Sequence, residues 1–487
     1  MKTFDELEKA HRNLTIGLEK EGAMGVLALS GTKTTASLHS QKPLKLKGDD
    51  RGWFDLRLDA PEVGDIFLHH ALVTNTTTRM GAPTAHETKI YPNVIAFGAS
   101  AINADGSVAM VAFTLEKLSS FFDYQVFERL SLYKLGDKKL EELRALRKEQ
   151  GGGDQDDHDF FAPTEVHLTH RVPRFLKFRV GQRIYEVFGA GRSQSGWASV
   201  KMESWPRAII KFDTPVSIDT ALDYVWEWRR YFESMAMEAM QPLEISVAGS
   251  KKSRAATAEL YLPGLEPQPP SSETFGFWKG HIPLRTWKER RALSAAMKAW
   301  LDKGEERRAF RAAINKVLRR HRRRVIVQDI VTLCGGIESL EELKVPNNEI
   351  SSDDVQALTS GAYAVAASAG IKVTEQRLKG LLGMLRMQSL QGKMKLMADA
   401  VQSLAPSDDC DVIVKAAMRL RNAAAHGQEV SRMLSPDTAP TIEGLLALCV
   451  FFDLLTSGVS AVAKAGRLRE AFSEAVRELR QLAAAQA

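Results

Sequence analysis

The chain has 487 residues, 44% of them hydrophobic and 26% charged, with a formal net charge of +6. That length exceeds what one hydrophobic core supports, so two or three domains are expected, and the composition excludes a mainly disordered chain. The first residues, MKTFDELEKAHRNL, carry no apolar run behind their charges, which argues against a secretory signal and for a cytoplasmic protein.

From about Gly25 to Phe212 the sequence reads as short strands separated by Gly, Pro, Asn and Asp. Phe54, Leu56 and Leu58 alternate with Asp55 and Arg57, and Leu176, Phe178 and Val180 alternate with Lys177 and Arg179, the period of half-buried antiparallel strands. Residues 137–163 interrupt this pattern, beginning as a charged helix and ending in the acidic loop GGGDQDDHD. Ser217 is a candidate N-cap, and Ala221 to Met240 predicts a helix packed on the sheet. Its Trp226, Trp228, Tyr231 and Phe232 are at helical spacing, which favours packing over base stacking. Leu243–Val247 and Thr257–Leu262 read as closing strands before Pro263, Pro267, Pro269 and Pro270, a linker composition.

Beyond the linker the periodicity predicts helices over about 285–301, 305–344, 352–369, 374–386, 389–405, 409–426, 441–464 and 467–485. The longest apolar run, Leu445 to Phe452, falls far short of the roughly 20 residues that span a bilayer and predicts a buried helix, so no membrane partner is expected. Cys334, Cys410 and Cys449 lack metal or redox spacing and are expected as reduced core thiols. Between Lys279 and Arg324 stand 16 Lys and Arg against 4 acids, ending in Arg319, Arg320, His321, Arg322, Arg323 and Arg324. Such a run suits RNA phosphates, and equally a solvated helix face.

The segment from Asp411 to Gly427 carries the chemistry. Gly427 suits a left-handed C-cap. At about 100° per residue His426, Asn422, Arg419 and Lys415 share one stripe, with Ile413, Ala417, Leu420 and Ala424 opposite. RNA cleavage by the ribose 2′-hydroxyl needs a group that exchanges protons near neutral pH and a fixed cation for the phosphorane; histidine and arginine supply both without a metal. Arg421, with four residues between it and His426, lies about 140° round a regular helix from it. An unwound last turn, a reaching side chain or a second subunit would close that gap, and the run Ala423, Ala424, Ala425 favours close approach across a two-fold axis. Arg419 shares the face of His426 and is the other candidate phosphate ligand.

Elsewhere the sequence offers little chemistry. There is no glycine-rich loop followed by Lys and Ser or Thr, and no GxSxG. His167 and His170, with His158 and Glu165 nearby, are three apart and would point to opposite faces of a strand. Adjacent His69 and His70 fail for the same reason, so neither metal nor cofactor is expected.

RNAAAHG, residues 421–427, at the end of a long helix in a helical C-terminal bundle resembles the HEPN ribonucleases. The layout resembles their ApeA-like abortive-infection members, and residues 209–235, IIKFDTPVSIDTALDYVWEWRRYFESM, are similar to the strand-to-helix passage of that family's N-terminal region. The resemblance implies an α+β multidomain chain: an antiparallel β-rich sensor or regulatory domain (1–262), the linker (263–274), a basic helical bridge (275–350) and an all-α HEPN nuclease bundle (351–487). It implies a metal-independent homodimeric endoribonuclease with Arg421 and His426 at the dimer interface and Asn422 as their polar neighbour. Products would carry 2′,3′-cyclic phosphate and 5′-hydroxyl ends, the substrate would be cellular RNA such as tRNA, and the role would be phage defence released by a phage-derived activator. The rival reading is a noncatalytic RNA-binding adaptor that uses the basic segment for RNA and the bundle for dimerisation.

Overall fold

Strands whose side chains alternate between apolar and polar must lay one face on a core, and in the computed structural model they do so by closing on themselves. It describes residues 3–80, 84–103, 105–122, 127–132, 138, 141–142, 145, 164–169, 174–195, 200–252, 256–265, 286–321, 326–344, 351–383, 389–425, 435–459 and 466–486. Helix α1 (Phe4–Ala10) is followed by β1 (Asn13–Leu18), β2 (Ala23–Ala28), β3 (Thr35–Ser40), β4 (Trp53–Ala60), β5 (Gly64–Arg79) and β6 (Ala85–Phe97). These pair antiparallel in the order β6-β3-β2-β1-β4-β5, and β5 returns to β6, a closed six-stranded barrel. Leu14, Ile16, Leu27, Leu38, Leu58, Ile66, Leu68 and Ile90 fill its interior. Gly25 is required where β2 presses on β3, because a Cβ there would stand 1.8 Å from the Ser37 carbonyl oxygen.

Six further strands extend the barrel into an open sheet. β7 (Val108–Leu115), β10 (Arg174–Val180), β11 (Arg183–Ser195), β12 (Val200–Val216), β13 (Pro242–Ala248) and β14 (Ala258–Tyr261) run in the order β10-β11-β12-β7-β13-β14, and β14 pairs with β6. β8 (Phe127–Leu132) and β9 (Thr164–Thr169) form a separate pair. Strand β7 is buried along its whole length, because α2 (Ile218–Ala236) covers this sheet. Ser217 caps α2 by accepting from the Thr220 amide. Trp228 meets Phe113 and Tyr185 edge-on, at ring separations of 5.5 and 5.1 Å, so the aromatic group is packing. The expected acidic loop and most of the Pro-rich linker lie outside the described residues.

The C-terminal part is helical: α3 (Thr286–Asp302), α4 (Arg308–His321), α5 (Gln328–Glu338), α6 (Ser352–Ser368), α7 (Glu375–Gly383), α8 (Leu390–Ala400), α9 (Ser407–Ala425), α10 (Thr438–Thr456) and α11 (Gly466–Gln486). The chain is therefore α+β, an antiparallel β-rich part followed by a helical one. The single helix predicted over 305–344 is instead α4, α5 and a short 3-10 turn at Glu341–Leu343. Gly336 explains how α4 and α5 lie against each other: a Cβ there would come within 2.7 Å of the Ala313 Cβ. Helix α10 ends earlier than predicted because Gly458, at φ +85°, takes the left-handed position after the Ser457 C-cap, and the Val459 amide donates back to the Leu454 carbonyl. Helix α10 is long and apolar enough to cross a membrane, yet its apolar window is 83% buried inside the protein. All three cysteines are free and buried.

One ionic network pins the helices preceding residue 345 to those following residue 351. The Asp453 carboxylate on α10 is fully buried. It accepts from Arg307 Nη1 at 3.0 Å, from Arg311 Nε at 3.0 Å and from Trp300 Nε1 at 2.8 Å. Arg307 also donates to both Glu342 oxygens at 2.6 and 2.7 Å, and the Arg311 guanidinium stacks 3.7 Å above the Trp300 ring. Buried side chains on both sides of the expected boundary at 350, such as Ile330 and Leu445, belong to one core that continues into β7 and α2. Removing Asp453 strands the buried Arg311 guanidinium and leaves Arg307 with Glu342 alone, so Asp453→Ala should lower unfolding free energy by about 3–5 kcal/mol in urea denaturation. Half-exposed Glu342→Gln should cost about 1 kcal/mol or less.

Candidate functional site

Helix α9 opens with Asp408 and Asp409 in its first turn, where acidic side chains complement the amide dipoles. Ile413, Val414, Ala417 and Leu420 are buried, and Gly444 lets α10 approach so closely that a Cβ there would meet Ile413 Cδ1 at 2.1 Å. Lys415, Arg419 and Asn422 line the exposed side. This fixes the rotation of the helix, and with it the direction of each candidate.

The two candidate arginines are held differently. Arg419 donates to the buried Asp437 carboxylate just before α10, and Asp437 is further held by the Ser435 hydroxyl. Arg421, on the other side of the helix, is half-buried; its Nη1 donates to Asn422 Oδ1 at 3.3 Å and its Nη2 stands 4.0 Å from Glu338 Oε1 at the end of α5. That distance to a half-exposed carboxylate makes a weak tether. Arg421 is thus the arginine a phosphate could recruit, while Arg419 ties α9 to α10. Helix α9 is described as far as Ala425; His426 and Gly427 lie outside the described residues.

The basic run divides in the fold. Arg307 and Arg311 are interior, spent on Asp453, whereas Arg319 and Arg320 line a cleft of about 300 Å³ between α2 and α4, with Arg229, Arg230, Asn315 and Lys316. Glu233 lies beneath it, fully buried, 3.5 Å from Arg229 Nε and 3.9 Å from Arg319 Nε. Burial pushes the Glu233 carboxyl above its ordinary range and pulls the Arg229 and Arg230 guanidinium groups below theirs. The cleft carries five cationic side chains against two buried carboxylates, Glu233 and Asp329, the latter 3.8 Å from Arg320 Nη1, and the remaining positive charge suits phosphate oxygens. Lys316 belongs to the basic run between Lys279 and Arg324, whereas Arg229 and Arg230 were missed, their signal being the WEWRR run on α2. Arg322, Arg323 and Arg324 lie outside the described residues.

No family model, curated protein or solved structure matches this chain. The chemistry of its own residues is what bears on function.

A second cluster contradicts the expectation that adjacent histidines diverge. In the β4–β5 ladder Phe54 pairs with Ala71 and Leu56 with Leu68, so Asp55 alone opposes both His69 and His70, a β-bulge. His70 takes φ +47°, turning its ring to stack 4.2 Å from that of His69. His69 Nδ1 lies 2.9 Å from Asp55 Oδ1 and its Nε2 3.0 Å from Asp219 Oδ2 in the first turn of α2. Burial pulls the His69 pKa down, but the hydrogen bonds to Asp219 and Asp55 outweigh it and leave it raised to about 9. Of the other candidate set, Glu165 and His167 stand on β9, and His158 and His170 lie outside the described residues.

If the α2–α4 cleft holds RNA phosphates, the double substitution Arg319→Glu and Arg320→Glu should weaken RNA binding by the full-length protein and reduce the slope of log K against log salt by roughly one to two. An unchanged affinity and slope would show that RNA does not use the cleft.

Proposed function

We propose that the protein is a metal-independent RNA endonuclease of the HEPN type, acting as a homodimer in abortive anti-phage defence, with the β-rich part restraining or triggering it. The observation that carries this reading is the end of α9: Arg421, weakly tethered beside Asn422, is a cation available five positions before His426 in the sequence. In this mechanism His426 accepts the proton of the ribose 2′-hydroxyl, and the oxygen attacks the adjacent phosphorus. Arg421 neutralises the charge that develops on the phosphorane. The P–O5′ bond breaks, the 5′-oxygen takes up a proton, and the products are a 2′,3′-cyclic phosphate and a 5′-hydroxyl. Asn422 orients Arg421.

Two features support the assembly and the control. Helix α6 exposes Leu358 and Val365, seven residues apart and so on one face, an apolar stripe that a second copy would cover. The α2–α4 cleft joins an arginine pair of the β-rich part to the basic helix, a route by which a phage-derived activator or the RNA itself would couple the two. The same cleft favours the rival reading, a noncatalytic RNA-binding adaptor, which predicts binding without turnover.

Full-length wild-type protein, Arg421→Ala, Arg419→Ala and His426→Ala, each incubated with total RNA and tRNA, separate these readings. Loss of about a hundredfold or more in rate is expected for Arg421→Ala and His426→Ala, with binding retained, and a smaller loss for Arg419→Ala. Cleavage by His426→Ala at the wild-type rate would sink the nuclease reading.

A further inference from the structure

The bulged His69-His70 pair and Asp219 are arranged as ligands around a point. His69 Nε2 and His70 Nε2 lie 3.0 and 3.4 Å from Asp219 Oδ2, and the three atoms fall within 4.8 Å of one another. A tetrahedral zinc ion, with bonds of about 2.0–2.1 Å, holds its ligand atoms about 3.3 Å apart. Asp55 occupies the supporting position: its Oδ1 lies 2.9 Å from His69 Nδ1 and would hold the proton there once a metal ion displaces the one on Nε2. The same oxygen accepts from the His70 amide at 3.0 Å and so secures the bulge.

The backbone gives a second reason. A histidine at φ +47° sits in a region that side-chain-bearing residues enter at a cost, and such positions persist where the site needs them. Here the conformation brings two neighbouring imidazoles, which a regular strand would send to opposite faces, onto one side.

We propose that His69, His70 and Asp219 bind one divalent transition-metal ion, zinc foremost, as a clasp between the β4–β5 bulge and the first turn of α2. Two imidazoles and one carboxylate suit zinc more than calcium or magnesium, which take oxygen ligands. The two carboxylates of Asp55 and Asp219 balance the charge of the ion. His70 and Asp219 are each almost half exposed, leaving room for water or an incoming group at the fourth position. The clasp would set the pose of α2, the helix that presents Arg229 and Arg230 to the basic cleft. This inference does not depend on the nuclease reading.

The test uses full-length protein stripped with a chelator, dialysed and titrated with zinc by calorimetry, alongside His70→Gly and Asp55→Asn. Glycine removes the ligand and suits the left-handed backbone, so His70→Gly should fold at least as well as wild type without metal. One zinc per wild-type chain is expected, with a rise in melting temperature; His70→Gly should lose both, and Asp55→Asn should bind about 10–100-fold more weakly. No zinc bound by the wild type, or zinc bound equally by His70→Gly, would overturn the proposal.

Discussion

A carboxylate removed from water must be compensated, and Asp453 is compensated by two guanidinium groups and an indole drawn from α3, from α4 and from the turn between them. The cost of leaving any of these charges alone forces those elements onto α10. Once they are there, Trp300 lies against Tyr231 at 5.6 Å, so the same network reaches α2 and through it the sheet. The helical and β-rich parts are consequently joined through a buried polar core flanked by apolar packing.

That joint decides where the exposed chemistry ends up. Arg307 and Arg311, interior by necessity, orient α4 so that Lys316, Arg319 and Arg320 face the arginines of α2 across the cleft. On the far side of α10, the close contact at Gly444 fixes the roll of α9, and the Arg419 pair with Asp437 anchors its last turns. Arg421 is then the cation left weakly tethered at the helix end. An event that shifts α2, whether ligand binding in the cleft or metal binding at its first turn, acts on a body continuous with the helices that support α9.

Much of the fold was legible because two periods carry it. The alternation in β4 and β10 and the helical stripe of α9 placed Phe54, Leu58, Ile413, Ala417 and Leu420 inside. Other signals were present but unread: Thr3 and Glu6 form a capping box for α1, and Gly458 stops α10. The split between α4 and α5 follows from a close contact at Gly336 that periodicity does not encode. At the sites, local pattern failed where tertiary geometry rules. Sequence spacing alone could not tell Arg419 from Arg421, because Asp437 distinguishes them from 18 residues away. The His69-His70 cluster was set aside on a rule for regular strands, which a bulge breaks. β5 and β6 are a local hairpin, but the barrel closes through β3 on β6 and β1 on β4, long-range pairings that composition leaves open.

The central claim is a chemical one: cleavage by the 2′-hydroxyl without a metal ion. The most direct measurement is the chemistry of the ends left on tRNA by purified full-length protein in excess chelator. The account predicts 2′,3′-cyclic phosphate and 5′-hydroxyl termini, produced at the same catalytic site with or without divalent ions. Products ending in 3′-hydroxyl and 5′-phosphate, or cleavage abolished by the chelator and restored by magnesium, would contradict it.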